Sequence, residues 1–264
     1  MARTGSHTEY GDRDAAVSGE ILRTVVGSGV HGIAIEGRDD HDEMGVFIEP
    51  PAQVIGLDMR LEHYVFRTQP EGARSGPGDT DLVVYSLRKY LRLATKGNPT
   101  ALLPLFAPSE AVLVLHPLGE ELRALAPAML SMRAVHRFVG YMNSQRERMT
   151  GVRGGAPSRP ELVARFGYDV KYASHALRLA YQGLQLLTEG RLTLPMPEPE
   201  RERVLQVKRG EIPAIDDVLH AISHVQAQIE HRLATGDTPL PEQPDLATIS
   251  DWSVSAHRRH WGWT

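Results

Sequence analysis

The sequence of 264 residues contains no cysteine. Disulfides and thiolate metal sites are thereby excluded, and a reducing cytoplasmic compartment is the expectation. No apolar run approaches the ~20 residues of a membrane span. The opening segment, MARTGSHTEYGDRD, is polar and acidic and contains no apolar region of the secretory type. No membrane partner is therefore expected. A strong charge of either sign is also missing. With a formal net charge of −4, the molecule as a whole exerts little pull on nucleic acid, so any such contact needs a local basic patch. Several catalytic signatures are absent as well: H-E-x-x-H spacing among the histidines, a G-x-S-x-G elbow, and a P-loop lysine after a glycine turn.

What is present centres on residues 24–49, TVVGSGVHGIAIEGRDDHDEMGVFIE. The pattern reads as strand, tight turn, acidic turn, strand. Glycines at a strand end let backbone N–H groups approach a phosphate closely. Asp40 and Asp42 are two apart on an extended segment and so point the same way. Converging carboxylate oxygens suit Mg²⁺, which is commonly held by carboxylates together with substrate phosphates. A phosphate cradle beside a carboxylate pair is the minimum for metal-assisted phosphoryl or nucleotidyl transfer. The same letters also spell G-x-G-x-x-G at Gly27, Gly29 and Gly32, with Glu49 about twenty residues on. That dinucleotide fingerprint must open a helix, whereas Gly37 and the charged run 38–43 interrupt the chain at once. The plainest alternative is a glycine turn followed by a solvated acidic loop.

Val26-Gly27-Ser28 followed by Asp40-His41-Asp42 resembles the signature of the DNA polymerase β-like nucleotidyltransferase superfamily. Further on, Asp81-Leu82 with Tyr85, Leu87-Arg88-Lys89 and Lys96-Gly97-Asn98-Pro99 resembles one branch of it, the predicted nucleotidyltransferases associated with RNA repair and RNA ligases. The segment from Phe166 to Leu179 matches that branch too, and the resemblance spans about residues 20–235. It implies an α+β fold: a small mixed β-sheet nucleotidyltransferase domain followed by an all-helical domain. It also implies an NTP substrate, transfer of a nucleoside monophosphate to an acceptor hydroxyl such as that of an RNA end, and two Mg²⁺ ions. By the same resemblance Asp40, Asp42 and Asp81 are the metal and catalytic carboxylates, with Asp79 as the substitute for Asp81. Gly27 and Ser28 bind the outer phosphates. The competing function on this fold is a non-catalytic nucleotide- or RNA-binding module, for which the polar neighbours His41 and Glu43 of the second acid would be suitable.

Along the chain, a helix is expected from about Asp14 to Val25 on the spacing of Ile21, Leu22 and Val25. Residues 61–68 and 81–85 read as strands, and Ser86 caps a helix over 87–96 that Gly97 and Pro99 terminate. Residues 112–115 read as another strand. From about Gly119 helical periodicity takes over, with long helices over 133–149, 160–189 (broken near Gly167) and 213–235. The expected organisation is a nucleotidyltransferase domain over 1–118, a helical domain over 119–240 and a tail over 241–264 that carries all three tryptophans. Lys171, His175 and Arg178 fall on one helix face and form a cationic ridge suited to a triphosphate. His31 flanks the glycine turn as a further nucleotide contact. His136, Arg137, Asn143, Gln145, Arg146 and Arg148 enrich a second helix in polar and cationic groups and, with Arg153 in the next loop, could form a local nucleic-acid or triphosphate groove, although the commoner reading of most of them is ordinary surface.

Overall fold

The computed structural model describes residues 7–57, 62–150 and 159–263. The glycine-rich loop with Arg153 lies outside them. The chain divides into two compact units. One comprises Met1–Thr95, Thr100–Met129 and Asp245–Thr264, the other Lys96–Pro99 and Leu130–Pro244.

In the first unit the elements run β1 (Thr8–Tyr10), α1 (Arg13–Ser18), β2 (Glu20–Val25), α2 (Gly27–Val30), β3 (His41–Phe47), α3 (Pro51–Val54), β4 (His63–Arg67), β5 (Thr80–Ser86), α4 (Leu87–Thr95), α5 (Leu103–Phe106), β6 (Val112–Leu115), α6 (Pro117–Ala124) and α7 (Ala126–Met129). The second unit carries α8 (Met132–Met149), α9 (Pro160–Phe166), α10 (Val170–Glu189), α11 (Glu200–Arg209) and α12 (Ile215–Thr235); α13 (Leu246–Trp261) returns to the first. Six strands form one mixed sheet in the order β1-β4-β5-β3-β2-β6. Only β3 and β5 pair in parallel, the other neighbours being antiparallel. This is the α+β class with a helical part that the sequence implied.

The helix expected from Asp14 to Val25 is two elements. α1 stops at Ser18, and Glu20–Val25 is a strand. Ile21, Leu22 and Val25 imitate a helical stripe, but the β-branched run is paired on both sides, with β3 and with β6. Ladder bonds on two edges outweigh a local periodicity that both structures could satisfy. Ile21 and Leu22 are fully buried on opposite faces of the sheet, and α5 and α6 both pack on β2.

α13 is held to the first unit by specific bonds. His257 Nε2 faces Glu49 Oε2 at 3.2 Å and its Nδ1 faces the Ser253 carbonyl at 2.7 Å. The Trp261 indole donates to the Glu49 carbonyl at 2.8 Å. Glu49 is thereby committed to a buried pair, and α2 is a single turn. Neither fits a dinucleotide fingerprint.

In the second unit α10 is central and packs against α8, α11 and α12. Its start is capped by Asp169, which accepts from the Lys171 and Tyr172 amides. The break expected near Gly167 is present: α9 ends at Phe166 and α10 begins at Val170.

Candidate active site

The site begins at the end of β2. Val26 leaves the strand, and its amide donates to the Asp42 carbonyl at 2.9 Å, tying the turn to β3. Gly27 then adopts φ +61°, and a Cβ there would lie 2.0 Å from Asp42 Oδ2. The turn thus lies directly against the Asp42 carboxylate, which only glycine allows. Ser28 follows in α2.

Asp40 precedes β3 and Asp42 is its second residue. The parallel register places Asp42 opposite Asp81 of β5, and the antiparallel register places Asp81 opposite Arg67 of β4. Acid, acid and cation therefore form one row across three adjacent strands. Asp40, Asp42 and Asp81 each offer a carboxylate oxygen within 4.8 Å of one another, and all three are half-buried. Like charges that close repel, and the arrangement needs a positive counter-charge. On the Asp81 side Arg67 supplies one: Nε donates to Oδ1 at 3.1 Å and an Nη to Oδ2 at 3.2 Å. Gln69 donates to Oδ1 and Ser75 to Oδ2, both at 2.7 Å. Burial pushes the Asp81 carboxyl up, but the bonds from Arg67, Ser75 and Gln69 outweigh it and hold it below the usual carboxylate range.

Asp79 does something else. Its two oxygens accept from Thr68 Oγ1 and from the Gly76 amide, both at 2.9 Å, which closes the loop between β4 and β5. It is a turn acid.

The all-oxygen donor set of Asp40, Asp42 and Asp81 fits a hard divalent cation such as Mg²⁺. Among the described residues it is the one cluster of at least three potential metal-ligating side chains of this kind.

A family model described as RlaP, RNA repair pathway DNA polymerase beta family, matches residues 15–255. The chain belongs to this family. A solved structure described as a nucleotidyltransferase-like protein from Exiguobacterium sibiricum 255-15 is similar at 12% identity and a TM-score of 0.32, over 84% of this chain and 73% of that one, a likeness too remote to carry an argument. No curated protein matches.

In this RNA repair family member, His41 and Glu43 are occupied with each other. His41 Nε2 and Glu43 Oε1 are 3.1 Å apart, and Arg23 bridges Glu43 and Glu20. They alternate with Asp42 along β3 and so serve the opposite face. His31 caps the end of α2 and is almost fully buried.

Lys171, His175 and Arg178 lie on α10, in the second unit. Burial, reinforced by the positive charges of Arg178, Lys171, Lys208 and Arg159, pushes His175 down to about 3. Its imidazole is therefore neutral at pH 7. Burial pulls the Arg178 guanidinium down to about 10, which leaves it charged. The charge of the expected ridge thus comes from lysine and arginine, with the histidine a neutral member.

Sequence reasoning missed Arg67, Gln69 and Ser75. Arg67 becomes visible only through the strand register, and Gln69 and Ser75 reach Asp81 through the fold of their loop. The polar Gly/Pro composition of residues 69–80 signals a loop and nothing about its contacts.

Proposed function

We propose that this protein is a Mg²⁺-dependent nucleotidyltransferase that moves a nucleoside monophosphate from an NTP to a hydroxyl of an RNA end. The observation that carries the reading is the convergence of Asp40, Asp42 and Asp81 beside the Gly27 turn. In the reaction an acceptor oxygen forms a bond to the α-phosphorus, the bond to the β-phosphate oxygen breaks, pyrophosphate leaves and the hydroxyl proton passes to solvent. Asp40, Asp42 and Asp81 would hold two Mg²⁺ ions. When bound, such ions lower the pKa of the attacking hydroxyl and neutralise the pyrophosphate leaving group.

The chain's own groups do the rest. Backbone amides at Gly27 and Ser28, with the Ser28 hydroxyl, bind the outer phosphates. Arg67 holds Asp81 ionised and oriented. His31, at the end of α2, is a further nucleotide contact beside the glycine turn. Lys171, His175 and Arg178 of α10 are the further nucleotide-binding groups of this reading, two cations and a neutral imidazole.

The test has two arms. Thermal stability is measured with Mg²⁺, with each NTP, and with both. Transfer is measured with α-labelled NTPs and RNA of defined ends. Stabilisation by NTP that requires Mg²⁺, together with label on RNA that vanishes in Asp42→Asn, supports the reading. Metal-independent NTP stabilisation without transfer to any acceptor replaces it with the non-catalytic nucleotide-binding alternative.

A further inference from the structure

We infer that the exposed face of α8 is a docking surface for single-stranded polynucleotide. It rests on the reading that the acceptor is an RNA end and supplies the place where that strand is held.

α8 turns Met132, Val135, Phe138 and Met142 into the core of its unit. The opposite side then carries two parallel rows: Arg133, Arg137 and Tyr141 at four-residue spacing, and His136, Gly140 and Ser144 beside them. These residues line an open cavity of about 590 Å³. Lys96 completes its wall, brought there by its neighbour. Gly97 has φ +70°, and a Cβ on it would lie 2.3 Å from Ala134 Cα, so the Lys96–Gly97 backbone rests directly on α8.

The chemistry of this cavity is of one sign. No acidic residue lines it. Among the described residues Lys96, Arg133, His136 and Arg137 make no ion pair. Arg133, His136 and Arg137 also lie in the first two turns of α8, whose first turn holds no acid. Cations there oppose the positive end of the helix dipole, so the arrangement costs stability that an incoming anion would return. Tyr141 is exposed, and the Arg137 guanidinium lies 5.9 Å from its ring centroid. An aromatic platform beside unpaired guanidinium groups is what a strand with phosphates and unstacked bases requires. Gly140 has no Cβ to obstruct close approach, and the space above it is open. A mononucleotide would need one cation cluster, whereas two rows running along three turns match an extended polymer.

The test uses the full chain and a fluorescein-labelled single-stranded RNA of mixed sequence, with DNA of the same sequence and duplex RNA as parallel arms. Arg133→Gln/Arg137→Gln is expected to weaken RNA binding about tenfold or more at low salt. The salt slope of log K should fall by about 1.4, for two contacts at about 0.7 each. Tyr141→Ala should weaken single-strand binding roughly tenfold and leave duplex binding unchanged. Both variants should retain parent melting temperatures and Mg²⁺-dependent NTP stabilisation, which separates this surface from the acidic site. RNA favoured over DNA supports the acceptor role, and equal binding supports a surface that reads the strand without its sugar. Parent-like RNA affinity in the folded double variant overturns the inference. So does loss of duplex binding equal to loss of single-strand binding in Tyr141→Ala, or displacement of RNA by polyglutamate as effective as by RNA itself. If the parent transfers nucleotide to no RNA while its RNA binding still depends on α8, the docking surface stands and the RNA-acceptor reading falls.

Discussion

Gly27 leaves no room for a side chain against Asp42: a Cβ at Gly27 would sit 2.0 Å from Asp42 Oδ2, with the glycine held at φ +61°. The glycine of the turn and the acid of the strand therefore form one unit, and the turn and the carboxylate cluster cannot be altered independently. Gly27→Ala adds a left-handed strain of about 1–2 kcal/mol and forces the Asp42 carboxylate to move. Denaturant melts should show that loss, and calorimetry with Mn²⁺ should show metal affinity at least about tenfold lower. An alanine variant with parent metal affinity would remove Asp42 from the metal site.

Asp42→Asn is the complementary change, since it preserves shape and removes one of three mutually repelling charges. In chelator the variant should melt at or slightly above the parent temperature. With Mg²⁺ the parent should gain stability that the variant does not, and transfer should be lost. A structural, capping aspartate would lose stability in both conditions, so a variant that is less stable with and without metal and still active contradicts the assigned role.

Arg67→Met removes the fork on Asp81 and leaves Gln69 and Ser75 in place. The pair is about a quarter exposed, so the cost at neutral pH should be about 1 kcal/mol. The pH dependence has a definite sign. A carboxyl held below its ordinary range contributes stability that is present above that range and lost as pH falls through the folded value. In chelator, the stability gap between parent and Arg67→Met should be full at pH 7 and close on acidification below the ordinary aspartate range. A gap that does not change with pH would mean that Arg67 acts by packing alone.

The acidic site was legible because its signal is local and chemical: two carboxylates two apart, behind a glycine turn, followed by a strand headed by Asp81. What brings Asp81 to the pair is the parallel register of β3 and β5, which two apolar strands joined by a long connection imply but do not specify. Arg67, Gln69 and Ser75 were not legible, since a cation on an antiparallel neighbour has no fixed spacing from its acid. The strand at 20–25 was misread because Ile21, Leu22 and Val25 satisfy a helical stripe and a strand buried on both faces equally well. The Glu49–His257 pair joins residues 208 positions apart, and nothing in either local sequence marks the partner. The polarity of His41 and Glu43 likewise gains its reason only from Arg23 on the neighbouring strand.

The α10 face supplies a test that reads protonation and binding together. With its imidazole pushed down to about 3, His175 stays neutral in the folded protein at pH values where an unfolded histidine, near 6.5, takes up a proton. The unfolded state then binds more protons than the folded one between those limits, so stability should fall as pH falls from about 6.5 towards 4, by up to about 1.4 kcal/mol per pH unit from this group. His175→Gln should flatten that part of the profile. A triphosphate bound at Lys171 and Arg178 would place negative charge beside the ring and offset the surrounding cations, so NMR should show the His175 titration moving up when NTP is added. Lys171→Ala should then raise KM for the nucleotide with little change in kcat, because it removes ground-state charge pairing. If NTP leaves the His175 titration where it was and Lys171→Ala binds NTP as tightly as the parent, this face is a buried structural cluster and the triphosphate charge is met elsewhere.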